Sequence, residues 1–272
     1  MKIQSTQNPK LKAAFKLRDR KERDARKLFL VEGFREITRA LEKGNFFTQL
    51  FYCPSFFLKE GENKIVETLQ KKKVECFECT PSVFQKLSYR DRPDGLVAVA
   101  SFFHKELSEA EEYLSKNPFI VIAESIEKPG NLGTILRSCD AAGVDLFILC
   151  DPKTDMYNPN VVRASTGTLF TVPIIPATLT DTWAFLQKHQ IKVCSATPKA
   201  KSFHTETNLQ GPIAIVVGSE QYGLTQHWLD ESELSVRIPM MGKADSLNVA
   251  QATTLLLYEV LRQRNHAASI YR

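Results

Sequence analysis

FIVIAESIEKPGNLGTILRSCDAAG, residues 119–143, is the stretch on which the fold turns. Residues 119–124 are apolar with almost no alternation, the pattern of a strand buried on both faces. Pro129-Gly130 and Gly133 bracket a tight turn with Asn131 at its tip, and Pro suits a first helical turn. Leu132, Ile135, Leu136 and Cys139 recur at helical spacing, and Gly143 stands where a left-handed cap is expected. The next apolar run, DLFILC at 145–150, completes a strand–helix–strand unit, whose crossover makes the two strands parallel.

Downstream the alternation continues. A turn at 151–160 is followed by a helical VVRASTG (161–167) and a strand LFTVPII (169–175). A helix DTWAFLQKH (181–189) and strands KVCSAT (192–197), IAIVVG (213–218) and LSVRIPM (234–240) come next. A long helix runs from about Leu247 to Arg264, with Asp245 or Ser246 as its cap. The predicted class is α/β with a mainly parallel sheet, and ligands of such sheets sit at loops leaving strand carboxyl ends.

Upstream, LFLVEG (28–33), FFTQLFYC (46–53), VECFEC (74–79) and GLVAVAS (95–101) read as strands. They alternate with helical FREITRALEKG (34–44), NKIVETLQKKK (63–73) and a short helix opening at Thr80-Pro81-Ser82. Residues 1–103 are therefore a smaller α/β domain, 104–118 (HKELSEAEEYLSKNP) a polar helical linker, and 119–272 the second domain.

Unusual polar residues gather in three loops of the second domain. The first, 127–143, carries Arg137 off the apolar face of its helix, either simply facing solvent or aimed at an anion held at the helix N-terminus. The second, IVVGSEQYGL (215–224), runs a strand into Gly218-Ser219-Glu220 before Gly223 turns the chain. The third, 236–260, joins a Pro-Met-Met-Gly bend to Asn248 in the first turn of the last helix. No G-x-G-x-x-G, Walker A loop, H-E-x-x-H or G-x-S-x-G occurs to suggest other chemistry. Three such loops at strand ends of one sheet point to a single binding site.

Composition narrows the class. The chain has 43% hydrophobic and 25% charged residues, no apolar run of membrane-spanning length, and a polar start without a signal-like segment. These features lead to the expectation of a cytoplasmic protein. Cys76 and Cys79 form one C-x-x-C without a second pair or nearby His, so no metal site is expected. The net charge of +5 is unevenly placed: residues 1–40 hold twelve Lys/Arg against five Asp/Glu, leaving −2 for the rest. The run KLKAAFKLRDRKERDARK (10–27) can pack one face while the other follows a polyanion. Lys10, Lys12, Arg18, Arg20 and Arg23, with Arg35 beyond them, are the candidate phosphate contacts.

The three loops together resemble the signature of the SpoU (TrmH-type) branch of the SPOUT RNA methyltransferases. Asn131-Leu132-Gly133…Arg137, Gly218-Ser219-Glu220…Gly223-Leu224 and Ile238-Pro239-Met240…Ser246-Leu247-Asn248-Val249 occur in family order and spacing. STQNPKLK and FLVEGFREI near the start are similar to the family's ribosomal-protein-like substrate-binding domain, which favours ribosomal over transfer RNA.

The resemblance implies a trefoil knot, a homodimer, and S-adenosylmethionine (SAM) as donor of a methyl group to a ribose 2′-hydroxyl. Its alternatives are a transfer-RNA ribose methyltransferase and a catalytically silent RNA-binding assembly factor. Carried onto this chain, it makes Arg137 the base or the clamp for the hydroxyl. Asn131 and Ser246 orient ribose and phosphate, while Glu220 and Asn248 hold the loops. Thr197, Gly218, Ile238, Met240 and Leu247 contact the cofactor, and Arg163 in the RASTG stretch becomes a further RNA contact. A guanidinium keeps its proton at ordinary pH, which favours the clamp.

Overall fold

The computed structural model describes residues 2–44, 47–58, 60–103 and 105–265. Phe46 and His104, the first residues of the expected second strand and linker, lie outside these, as does 266–272 of the second domain. The chain forms two compact units, Met1–Phe103 with Asp155–Thr171, and His104–Thr154 with Val172–Arg272.

In the first unit the elements run β1 (Lys2–Ile3), α1 (Pro9–Lys16), α2 (Arg20–Arg26), β2 (Leu28–Glu32), α3 (Phe34–Lys43), β3 (Phe47–Tyr52), α4 (Gly61–Lys71), β4 (Glu75–Cys79), α5 (Pro81–Leu87) and β5 (Leu96–Ser101). The sheet order is β1-β4-β3-β5-β2, with β1, β4 and β3 parallel and β5 antiparallel to both β3 and β2. The basic run splits into two helices because each has its own cap. Asn8 Oδ1 accepts from Lys10 N–H at 2.9 Å, and Asp19 Oδ1 from Lys21 N–H at 2.8 Å. Leu11, Ala14 and Leu17 bury against Phe51, Phe77 and Phe84, so the apolar face inferred from the sequence is the packed one.

Residues 155–171 belong to this unit. Tyr157 stacks on Phe102 with centroids 3.9 Å apart and lies 4.6 Å from Phe29. Thr168–Phe170 is a 3-10 turn, and Phe170 packs against Phe29 and Phe103. LFTVPII is therefore not one strand. Its first half is drawn into an aromatic cluster, and Pro173, lacking an N–H, ends that half before the strand begins at Ile174.

The second unit contains β6 (Phe119–Glu124), α6 (Pro129–Ala142) and β7 (Leu146–Cys150). After α7 (Pro159–Ser165, in the first unit) come β8 (Ile174–Ala177), α8 (Leu179–Lys188), β9 (Lys192–Ala196), β10 (Ser202–Phe203), β11 (Ile213–Val217), α9 (Gln226–Glu231), β12 (Leu234–Arg237) and α10 (Val249–Asn265). Seven strands pair in the order β10-β12-β9-β11-β6-β7-β8, every pair parallel. Ile120, Ile122, Ile148, Val193, Val216 and Trp228 are fully buried in its core. Each such side chain contributes about 1.5–3 kcal/mol by leaving water.

The polar stretch after 104 forms a 3-10 turn, Leu107–Tyr113, whose Leu107, Ala110 and Tyr113 pack onto that core. Past β12, residues 238–248 return the chain so that α10 lies along α6, where Ser138 and Thr254 hydroxyls meet at 2.6 Å. The expected cap of this helix is corrected. Asn248, not Asp245 or Ser246, accepts from Ala250 N–H at 3.0 Å, so α10 starts at Val249.

The cysteines are packing residues. All six are unpaired, and burial pushes the Cys79, Cys150 and Cys194 thiols up to about 12. Among the described residues no group of His, Cys, Asp and Glu is placed to hold a metal ion, and no helix is long and apolar enough to cross a membrane.

Candidate active site at the carboxyl ends of the parallel sheet

β12, β9 and β11 are neighbours in the sheet, and Ile238, Thr197 and Gly218 are the first residues beyond their carboxyl ends. Gly218 has to be glycine, because a Cβ there would collide with the backbone of Gly223 and Leu224. That close approach comes from a tight pairing of Ser219 and Gly223, which exchange two backbone hydrogen bonds of 3.0 Å while Gly223 sits at φ +70°. The pairing carries Glu220 out toward the loop ahead of α6.

Glu220 organises that loop. One carboxylate oxygen accepts from Glu127 N–H at 3.0 Å; the other accepts from Lys128 N–H at 3.1 Å and from the Asn131 amide at 2.6 Å. Asn131 is thus half-buried within the first turn of α6, which begins at Pro129, rather than standing exposed at a turn. Its Oδ1 in turn accepts from the Asn248 amide at 3.0 Å. One chain of side-chain hydrogen bonds, Glu220–Asn131–Asn248, therefore ties together all three loops that the sequence singles out. Burial alone pushes the Glu220 carboxyl up, but the donations from Glu127, Asn131 and Lys128 outweigh it and hold the group below the usual carboxylate range.

The other expected residues are placed as follows. Arg137 is exposed on α6, and Ser246 is exposed two residues before Asn248; neither makes a hydrogen bond or ion pair among the described residues. Thr197, Gly218, Ile238, Met240 and Leu247 are all half-buried.

Two supports escaped the sequence reading. Glu124, only 1% exposed at the end of β6, accepts from Thr225 N–H at 2.8 Å, Thr225 Oγ1 at 2.7 Å and Trp228 Nε1 at 3.1 Å. It pins the chain just after Gly223-Leu224. Thr154 Oγ1 reaches the Ile126 and Glu127 carbonyls at 2.7 and 2.8 Å, fixing the other side of the Glu220 loop. A buried carboxylate at the end of an apolar strand was the available signal for the first. The second has none, since its partners are backbone atoms.

Of the candidate phosphate contacts in the first unit, Arg23 is corrected. It is 1% exposed, bonds Asp155 at 2.5 and 2.8 Å, and donates to the Leu17 and Arg18 carbonyls. Four of its five N–H donors are taken and the group is closed off from solvent, so a phosphate cannot reach it. Lys10 pairs with Glu75 at 2.9 Å, Arg20 with Asp24 at 3.5 Å, and Arg18 donates to the Leu87 and Ser88 carbonyls. Lys12, Arg35 and Arg163 are exposed and unpaired among the described residues.

An all-parallel sheet whose three strand-end loops are tied together by Glu220, Asn131 and Asn248, with a separate α/β unit before it in the chain, is the arrangement that the resemblance to SpoU-type methyltransferases implies. Residues 118–258 match the SpoU rRNA Methylase family, and residues 8–98 match the MRM3-like substrate binding domain. The chain belongs to the SpoU rRNA methylase family. It is similar to a crystal structure of an RNA 2′-O ribose methyltransferase, with 40% identity, 97% of this chain and 99% of that one covered, and a TM-score of 0.84. It is also similar to an AdoMet-bound (that is, SAM-bound) rRNA methyltransferase from Sinorhizobium meliloti, at 27% identity, 96% and 97% coverage and a TM-score of 0.88. The 23S rRNA (guanosine(2553)-2′-O)-methyltransferase RlmP of Bacillus subtilis is 27% identical over 95% of this chain and 98% of its own.

Proposed function

We propose that this protein transfers a methyl group from SAM to a ribose 2′-hydroxyl of large-subunit ribosomal RNA. The observation that carries the reading is the Glu220–Asn131–Asn248 chain, which joins the three family loops into one site. The AdoMet-bound rRNA methyltransferase and the 23S rRNA enzyme among its relatives support the donor and the substrate.

The residues fit the cofactor. Ile238, Met240 and Leu247 are half-buried apolar side chains of the kind that hold adenine, and Thr197 and Gly218 follow adjacent strands, where backbone groups can meet its polar edges. When bound, SAM supplies an electrophilic methyl on a positively charged sulfur. The protein's own part is positioning. Arg137 holds the RNA phosphate and the adjacent hydroxyl in line with that methyl; its unpaired guanidinium has all its donors available. The attacking hydroxyl has to give up its proton, and a phosphate oxygen held by Arg137, or water, would take it. Asn131 and Ser246 orient the ribose and its phosphate, and Glu220 and Asn248 fix Asn131 and the loops.

The working unit is a homodimer in the cytoplasm. Leu255 and Tyr258 on α10 are 46% and 48% exposed, an apolar strip that a second copy would cover. Tyr258→Glu should then give a monomer by light scattering; an unchanged dimer would place the interface elsewhere, and a monomeric parent would end the dimer reading.

The test is incubation of the purified protein with methyl-labelled SAM and total RNA, followed by mapping of the labelled nucleotide. Label on one 2′-oxygen of large-subunit RNA is expected. Label in transfer RNA would overturn the substrate. Absence of SAM binding would leave a silent RNA-binding factor.

A further inference from the structure

The sequence places the positive charge of this chain in residues 1–40, but the fold ties down much of it: Lys10, Arg18, Arg20 and Arg23 are engaged by Glu75, main-chain carbonyls, Asp24 and Asp155. Elsewhere in the first unit lies a cleft of about 660 Å³. Four arginines from three separate segments line it: Arg35 on α3, Arg90 and Arg92 after α5, and Arg163 on α7.

These arginines differ in state. Arg90 is built in: it bonds Glu36 at 2.6 Å, approaches Asp94 at 3.6 Å, and donates to the Glu32 carbonyl at 3.0 Å. Asp94 also accepts from Phe34 N–H at 2.7 Å, at the start of α3. Gly33, at φ +118°, leaves the room this needs, since a Cβ there would collide with the Glu36 carboxylate and the Arg90 guanidinium. The result is a rigid floor on which one guanidinium is held between two carboxylates. Arg35, Arg92 and Arg163 by contrast are exposed and make no hydrogen bond or ion pair among the described residues. With Glu36, Asp91 and Asp94 also in the lining, the four arginines leave the cleft a small positive excess, carried by exposed guanidinium groups that make no ion pair of their own among the described residues.

We infer that this cleft seats one unpaired nucleotide of the RNA substrate, Arg35, Arg92 and Arg163 taking its flanking phosphates. The inference rests on the reading of the chain as an RNA methyltransferase. Guanidinium forks match phosphate oxygens in pairs, which a lysine-rich helix face does not. The volume lies within the range of small-ligand sites and suits a single nucleotide. Phe34 on the wall offers an aromatic surface of the kind on which single-stranded bases stack. Asp91, also on the wall, lowers the pull on bare anions and supplies an acceptor for a base amino or imino group.

The experiment compares two triple variants of the full chain that remove equal charge: Arg35→Gln/Arg92→Gln/Arg163→Gln from the cleft, and Lys16→Gln/Lys21→Gln/Lys27→Gln from the basic run. Binding of deproteinised large-subunit RNA is followed against salt concentration, with SAM affinity and thermal midpoint as checks on folding. The cleft variant should lose about 30-fold or more in affinity and lower the salt slope by about three, while the control loses less than about 3-fold. Single-stranded RNA should compete better than duplex of equal length for the parent protein. Equal losses in the two variants, or none in either, overturn the cleft while leaving the methyltransferase reading intact. A parent protein that binds SAM but no RNA overturns that reading instead. Should the cleft triple fail to fold, Arg92→Gln alone, on an exposed loop, carries the same comparison against Lys21→Gln.

Discussion

The Asn131 side-chain amide donates to Glu220 Oε1 across 2.6 Å, joining residues 89 positions apart in the chain. Two backbone N–H groups, of Glu127 and Lys128, end on the same carboxylate. Removing that acceptor leaves three donors without a partner and frees the turn that enters α6.

Glu220→Ala should therefore act through position rather than through chemistry. A displacement of about 1 Å in a positioned group costs on the order of 100-fold in rate. We expect kcat to fall by roughly that factor with the KM for RNA little changed, and Glu220→Gln, which keeps one oxygen acceptor, to recover part of it. Steady-state methyl transfer on saturating RNA checks this; a loss confined to KM would show that Glu220 touches substrate instead.

The carboxyl group of Glu220 is held below the usual carboxylate range, which fixes the sign of a pH effect. Burial opposes ionisation, but the three donors win, so the folded state binds this proton less readily than the unfolded chain. The stabilisation is fully present above the unfolded value near 4.5 and is lost as pH falls through the lower, folded value. The stability gap between parent and Glu220→Gln should stay constant from pH 7 to about pH 5 and close below that. Denaturant melts across this range test it, and a gap that closes near neutrality would contradict the network.

Arg23 and Asp155 form the buried ion pair of the first unit, with side-chain exposures of 2% and 9%. Breaking such a pair from one side strands the other charge and costs about 3–5 kcal/mol. Arg23→Ala and Asp155→Asn should each lower the urea midpoint strongly. Arg23→Met with Asp155→Leu should cost less than either single change. If Arg23→Ala instead keeps full stability and loses RNA affinity, the residue is a phosphate contact after all.

Much of this architecture is legible in the chain because buried parallel strands carry long apolar runs. FIVIAE and DLFILC show this, and Gly143 marks the end of α6 by adopting φ +67°. What fails does so where partners distant in sequence decide. Phe170 leaves a strand-like run for the ring of Phe29, and Asn248 takes the cap from Asp245 and Ser246 while also reaching Asn131. The three loops of the site are visible as motifs, yet the chain of hydrogen bonds between them is not, because no periodicity records that Glu220 meets the N-terminus of α6. Charge was the least reliable guide: the basic run at 10–27 advertises phosphate contacts, and Asp155 and main-chain carbonyls have already occupied Arg23 and Arg18.

The most direct test of the account separates cofactor binding from transfer in Arg137→Ala. Calorimetry measures SAM affinity, and single-turnover transfer to large-subunit RNA measures the step itself. The account predicts SAM affinity within about 3-fold of the parent and transfer slowed at least about 100-fold, with Arg137→Lys recovering little because an ammonium lacks the fork. Unimpaired transfer, or a loss of SAM binding equal to the loss of rate, would contradict it.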